Sequence, residues 1–345
     1  GGGYSPRGAG GGEVRAGGRG LRPALLGGGP DERGAPARLA LVRPFAADPA
    51  PYRFPGPAEY SAPLLRVEVG KEAVWLDPGL RQAPFGAIPS ALVDCDALLL
   101  PEPGEAPRSA RTPERVDPRD ARELEVEIEL GPGGDASIAG TDRYLGHGGA
   151  AAKAAVERLD ADGRRRMVEG ALARSFRGAS VEEFSVEGED DRDAPLTLRW
   201  RARAPALASQ GAGGARLENP LLPFRLSARY VQVAARRTAL LLASPERATQ
   251  RVRIVPPPGL VPVASAPLDL AGPGARYART ERVEGGALVR EERLEIERGR
   301  LAPDRYAEFA EFAGRVDAAQ QEPVVLVREG DPGASGTQGP QPGKP

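Results

Sequence analysis

The chain has 345 residues, of which 40% are hydrophobic and 28% charged; at roughly 100–200 residues per domain this predicts two domains with a sizeable buried core, plus tails. Its 47 Lys and Arg nearly cancel 48 Asp and Glu, which removes the long-range attraction a nucleic-acid-binding domain needs, so no nucleic-acid partner is expected. One cysteine, Cys95, and one histidine, His147, exclude an intramolecular disulfide framework and a cysteine-rich zinc site, and neither a metal nor a cofactor is expected.

Residues 1–34 are rich in Gly and Arg without apolar periodicity and predict a disordered tail. From there the texture changes. Residues 38–43 read as a strand closed by Pro44, and a Pro/Ala-rich loop follows through Ala58. Residues 64–69 and 73–77 read as two strands joined by the Gly70-Lys71 turn, a hairpin. After a loop punctuated by Pro78, Gly79, Pro84, Gly86 and Pro89, the apolar run 97–100 reads as a buried strand. Residues 102–120, Pro-rich and charged, read as an interdomain linker. No stretch of about 18 apolar residues predicts a membrane span, and no apolar N-terminal segment predicts a signal peptide.

In the second half, Leu124, Val126, Ile128 and Leu130 alternate strictly with Glu123, Glu125, Glu127 and Glu129, the pattern of a strand with one buried and one wet face. The glutamates read as a solvated face that also resists edge-to-edge aggregation, rather than as a calcium or acid/base site. Residues 149–174 carry a broken amphipathic stripe, divided near Asp162-Gly163 into two helices. Strands are expected at 181–186, 196–203, 224–233, 251–255, 276–283 and 287–297. A helix is expected near 303–318, opened by Pro303 and carrying Tyr306, Phe309, Phe312 and Val316 inward. A short apolar strand at 323–327 follows, and residues 330–345 read as a disordered tail. The fold class is therefore α+β, mainly β with some α: a partial sheet domain over 35–101, then an antiparallel β-sandwich-like domain with helical inserts over 121–329.

The order of features between Leu39 and Pro101 resembles the second half of the transglutaminase-like domain, a member of the papain-like cysteine-hydrolase superfamily. The apolar strand after Ala35-Pro36-Ala37, the segment Tyr60-Ser61-Ala62, the run Trp75-Leu76-Asp77-Pro78, and Pro84-Phe85-Gly86 with Pro89 match its landmarks in order. In bacterial members a β-rich domain of unknown function often follows, closing on a Tyr-x-x-Phe helix and a short strand, as Tyr306, Phe309 and residues 323–327 do here. The resemblance thus spans 35–328. It implies that Asp77 is the vestigial triad aspartate and that Ala62 stands at the histidine position. It also implies export to the periplasm or cell envelope, although the residues themselves leave the compartment open.

Catalysis in that superfamily needs a thiolate activated by an adjacent imidazole. Residues 1–34 contain no cysteine and Ala62 cannot carry a proton. Asp77 is then expected to have no imidazole to orient and to bond backbone in the turn before Pro78. An improvised dyad of Cys95 and His147 is disfavoured: Cys95 reads as a small buried hydrophobe, and His147, in a Gly-His-Gly-Gly stretch, as solvent-exposed. The resulting expectation is a non-catalytic structural or protein/peptide-binding module that uses exposed strand edges. The alternative is an incomplete fragment of a transglutaminase-like hydrolase or acyltransferase lacking its nucleophile-bearing segment.

Overall fold

The computed structural model describes residues 37–47, 59–102, 104–116, 119–176, 178–211, 213–218 and 220–330. The tail expected at 1–34, all but Gly330 of the tail expected at 330–345, and most of the loop before Ala58 lie outside these residues.

The first sheet has five strands: β1 (Ala37–Val42), β2 (Ala62–Val69), β3 (Glu72–Leu76), β4 (Asp96–Leu99) and β5 (Arg108–Arg111), in the order β3-β2-β1-β4-β5, all antiparallel. The β2–β3 hairpin turns at Gly70, whose φ of 66° suits a residue without a Cβ. Strand β5 falls inside the segment read as a linker; its Arg111 bridges Asp94 and Asp96 at 2.6 and 2.7 Å, so charge neutralised on the sheet edge draws this stretch into the fold. Ala40, Val42, Leu64, Trp75, Ile88, Leu92, Cys95, Ala97 and Leu99 form a core of their own beneath the sheet.

Beyond it run β6 (Ala121–Leu130), β7 (Ala136–Leu145), helices α1 (Gly146–Glu157) and α2 (Ala161–Leu172), β8 (Ser180–Glu187), β9 (Leu196–Ala204), β10 (Ala208–Gly211) and β11 (Gly214–Leu217). Helix α3 (Leu226–Tyr230), β12 (Leu240–Leu242), β13 (Glu246–Val255), β14 (Leu260–Val263), β15 (Leu268–Gly272), β16 (Ala275–Glu284), β17 (Ala287–Ile296), β18 (Gly299–Leu301), α4 (Tyr306–Gln321) and β19 (Val324–Arg328) follow. Eight strands form one sheet in the order β15-β16-β17-β13-β6-β7-β9-β8, and four form a second, β10-β11-β19-β14, while β12 pairs with β18.

The alternation in β6 works as the sequence implies: Leu124, Val126, Ile128 and Leu130 are buried while Glu125, Glu127 and Glu129 are exposed. Strands β7, β9 and β13 follow the same alternation over most of their length, giving one mostly apolar face and one charged face; β17 departs from it, with Ala287, Leu288, Val289 and Arg290 all buried. The apolar face is covered at one end by the four-stranded sheet and α2, through Val168, Leu172, Leu217 and Leu326. At the other end it is covered by α4, through Tyr306, Phe309, Phe312, Ala313 and Val316. These layers make a mainly β, α+β molecule. One pairing departs from the antiparallel sandwich expected from the sequence: β13 runs parallel to β6.

Two local causes explain where elements fall. The helices α1 and α2 break at residues 158–160 because Asp160 Oδ1 accepts from Gly163 N at 2.7 Å, restarting the helix as its N-cap. The strand expected at 224–233 is instead α3. Arg225 sits in the left-handed region at φ 53°, and the carboxylate of Asp317, on α4, accepts from Leu226 N at 2.8 Å and Ser227 N at 2.9 Å. A side chain 90 residues away caps this helix, which no local pattern could reveal.

Candidate functional site

Asp77 directly follows β3, and its two carboxylate oxygens do different jobs. Oδ1 accepts from the backbone N–H of Gly79 at 2.8 Å, closing the turn before the next loop. Oδ2 pairs with Nε2 of His147 at 2.7 Å. An ionised carboxylate only accepts, so Nε2 carries the proton in this pair. Each side chain is 15% exposed.

Thus the turn role expected of Asp77 is present, but the expectation that it lacks an imidazole is wrong. So is the expectation that His147 faces solvent. The histidine lies in the first turn of α1, and the glycines around it serve close approach rather than flexibility. Gly146 has φ 70°, and a Cβ there would stand 2.5 Å from Asp120 Oδ1 and 2.8 Å from its backbone N. At Gly149 a Cβ would stand 2.3 Å from the carbonyl oxygen of Tyr144. Asp120 Oδ1 in turn accepts from Gly148 N at 2.9 Å, so a carboxylate meets the open N–H groups of the helix start.

The pair belongs to a wider polar seam between the first sheet and α1. Arg81 and Gln82, in the loop after β3, both donate to the carboxylate of Glu157 at the end of α1. One turn before Glu157, Lys153 is 2% exposed and its Nζ donates to the carbonyls of Asp191 and Ala194, each at 2.6 Å. Burial lowers the Lys153 pKa, opposed by the nearby Asp191 and Asp193. A recess of about 50 Å³, lined in part by Pro84, Gly149, Lys153 and Pro195, lies against the helix. Sites that enclose small ligands are usually at least ~300 Å³.

The hydrogen bond from His147 holds the Asp77 carboxyl below the usual carboxylate range; the Gly79 N–H acts in the same sense and burial opposes both. This is electrostatic orientation of an imidazole, the role an aspartate plays in a triad. The one thiol of the chain lies elsewhere in the hydrogen-bond network. Cys95 is 5% exposed. Its Sγ donates to the carbonyl of Val93 at 3.3 Å, with Arg298 Nη1 3.8 Å away. Burial pushes its thiol pKa up, opposed by the Arg298 charge. Among the described residues no hydrogen bond joins Cys95 to His147. Ala62 begins β2, opposite Val42, partly buried against the first core.

Among the described residues there is no group of three or more His, Cys, Asp or Glu side chains placed to hold a metal ion. Among the described residues no helix is long and apolar enough to cross a membrane. The Asp77–His147 pairing was missed by the sequence reading because its members lie 70 residues apart. The available signal was the unusual glycine density on both sides of a lone histidine directly after a long strand.

No family model matches the chain, and no curated protein sequence does. Among solved structures the chain is similar to a "putative protease" from Parabacteroides distasonis, with 10% sequence identity and a TM-score of 0.42. That similarity covers 85% of this chain and 40% of the other, so this chain spans about 40% of that protein's length.

Proposed function

We propose that this chain is a non-catalytic, transglutaminase-like structural and protein- or peptide-binding module, in which the aspartate of the ancestral triad has become half of a structural clasp. The observation that carries this reading is the pairing of Asp77 with His147 in the absence of a thiol. The imidazole comes from helix α1 rather than from the Ala62 position, and its bond to Asp77 ties the first sheet to the second half of the chain. The adjacent bonds from Arg81 and Gln82 to Glu157 serve the same connection. Cys95 fits a packing role, since a thiol raised in pKa by burial supplies little thiolate at neutral pH.

The free strand edges supply a route for binding by main-chain pairing. Edge strand β8 is blunted by the irregularity between Val181 and Glu183 and by its glutamates. The edge of β3 carries neither a proline nor a bulge, and it is the edge we assign to an extended peptide.

The test is to incubate the purified protein with a thiol-directed, mechanism-based amide inhibitor and read the intact mass. The expected result is no selective adduct in the folded state and labelling of Cys95 after denaturation. Rapid labelling of native Cys95 that disappears in His147→Ala would overturn the non-catalytic reading.

A further inference from the structure

Between α2 and the apolar face of the eight-stranded sheet lies a cavity of about 170 Å³. Protein interiors hold few voids larger than a water molecule, so a space of this size within a core is out of the ordinary. Its lining accounts for it. On the helix side α2 presents the small Ala171 between Val168 and Leu172. On the sheet side the indole of Trp200 presses onto β7 at Gly140, where a Cβ would stand 2.1 Å from Trp200 Cζ2. The Phe176 ring lies 5.9 Å from it at 50°. Leu198, on the inward side of β9 between the buried Leu196 and Trp200, faces this space and remains half-buried.

One end of the cavity is polar. Asp142 stands on the inward face of β7, in register with Leu124 and Leu198, and is buried. Arg122 holds it from the next row, Nε to Oδ1 at 2.9 Å and Nη2 to Oδ2 at 2.6 Å, and the Tyr144 hydroxyl donates to Oδ2 at 2.9 Å. The carboxylate and the guanidinium cancel, and burial raises the Tyr144 pKa, so its phenol is neutral. Arg174 stands just past the end of α2. Of the lining residues it alone is exposed, which places the mouth there. Its charge reaches Tyr144, and among the described residues its guanidinium has neither a hydrogen bond nor an ion pair. The polar end therefore carries one uncompensated positive charge.

The volume is below the ~300 Å³ of pockets for drug-sized ligands and close to the ~150 Å³ of an apolar cavity that takes up benzene. We infer that this cavity is a binding site for a small aromatic monocarboxylate, its single ring between Trp200 and α2 and its carboxylate at the mouth on Arg174. The inference goes beyond the binding-module reading and does not depend on it, because it concerns a different part of the molecule.

Each part of that ligand meets its complement. The ring lies among aromatic and aliphatic walls that include the polarizable thioether of Met167. A planar carboxylate suits the fork of a guanidinium that has no other acceptor. A cationic head would instead face Arg174, and would find the Asp142 carboxylate already held by Arg122 and Tyr144.

Met167 is the one methionine of the chain, so isotope labelling of the methionine methyl gives a single NMR signal, and it comes from the cavity wall. Titration of the full chain with benzoate is expected to shift that signal saturably, with a Kd on the order of 1 mM for so small a ligand. Benzyl alcohol, which keeps the ring without the charge, is expected to bind about tenfold more weakly, and benzylamine more weakly still. Arg174→Gln, at an exposed position, is expected to weaken benzoate by about the same factor and to leave benzyl alcohol unchanged. Ala171→Leu fills the cavity and is expected to abolish both titrations; should circular dichroism show it unfolded, Ala171→Val takes its place. A Met167 signal unmoved by benzoate, a folded cavity-filling variant that binds as the wild type does, an Arg174→Gln variant with unchanged benzoate affinity, or benzylamine binding more tightly than benzoate would overturn the inference.

Discussion

Asp77 holds a backbone N–H with one oxygen and an imidazole with the other, and both contacts favour its charged form. Its pKa is therefore lower folded than unfolded. The sign of the linkage follows: the carboxylate contributes its full stabilisation above the unfolded value of about 4, and loses it as pH falls through the lowered folded value. Asp77→Asn is expected to reduce stability at neutral pH and to flatten the acid limb of the stability curve. Urea unfolding between about pH 2 and 7 measures this; an unchanged acid limb would remove Asp77 from the clasp. The sequence showed half of this arrangement. Asp before Pro, two residues from Gly, is a turn signature at any position. The partner histidine was not legible, since nothing in residues 146–149 encodes which carboxylate the helix start will meet. Their glycines bring α1 against Tyr144 and Asp120.

At the scale of elements, legibility followed the range of the interactions. Strand β6 was readable because burial with a period of two is written in its own residues, and α4 because Pro303 and the spacing of Tyr306, Phe309 and Phe312 are local. Helix α3 was not, because the acceptor that caps it comes from α4. This gives a quantitative expectation. Asp317→Ala removes the acceptor of two backbone N–H groups and is expected to cost about 1–2 kcal/mol, read by urea denaturation. Loss of protection should centre on 226–230 in hydrogen exchange; unchanged exchange there would mean that apolar packing of Leu226 alone sets the helix. The parallel placement of β13 beside β6 was likewise invisible, since apolar alternation reports which face is buried but not which strand lies alongside or in which direction.

Among the described residues the buried apolar side chains fall into three clusters. The first sheet meets the rest through the Asp77–His147 pair, through Glu157, and through two arginines near Phe45. Arg298 stacks over the Phe45 ring at 4.5 Å, and Arg300 Nη2 donates to the Phe45 carbonyl at 2.6 Å. These contacts are directional, so they fix the geometry of the seam. In the proposed reading those bonds are architectural.

A single histidine gives the most direct measurement of that claim, because a long-range proton–nitrogen spectrum of the imidazole contains signals from His147 alone. The structure predicts the Nε2–H form, with ring signals that shift in Asp77→Asn and stay in place in Cys95→Ser. Ring signals indifferent to Asp77 but displaced by Cys95→Ser would contradict the clasp and place the thiol beside the imidazole instead.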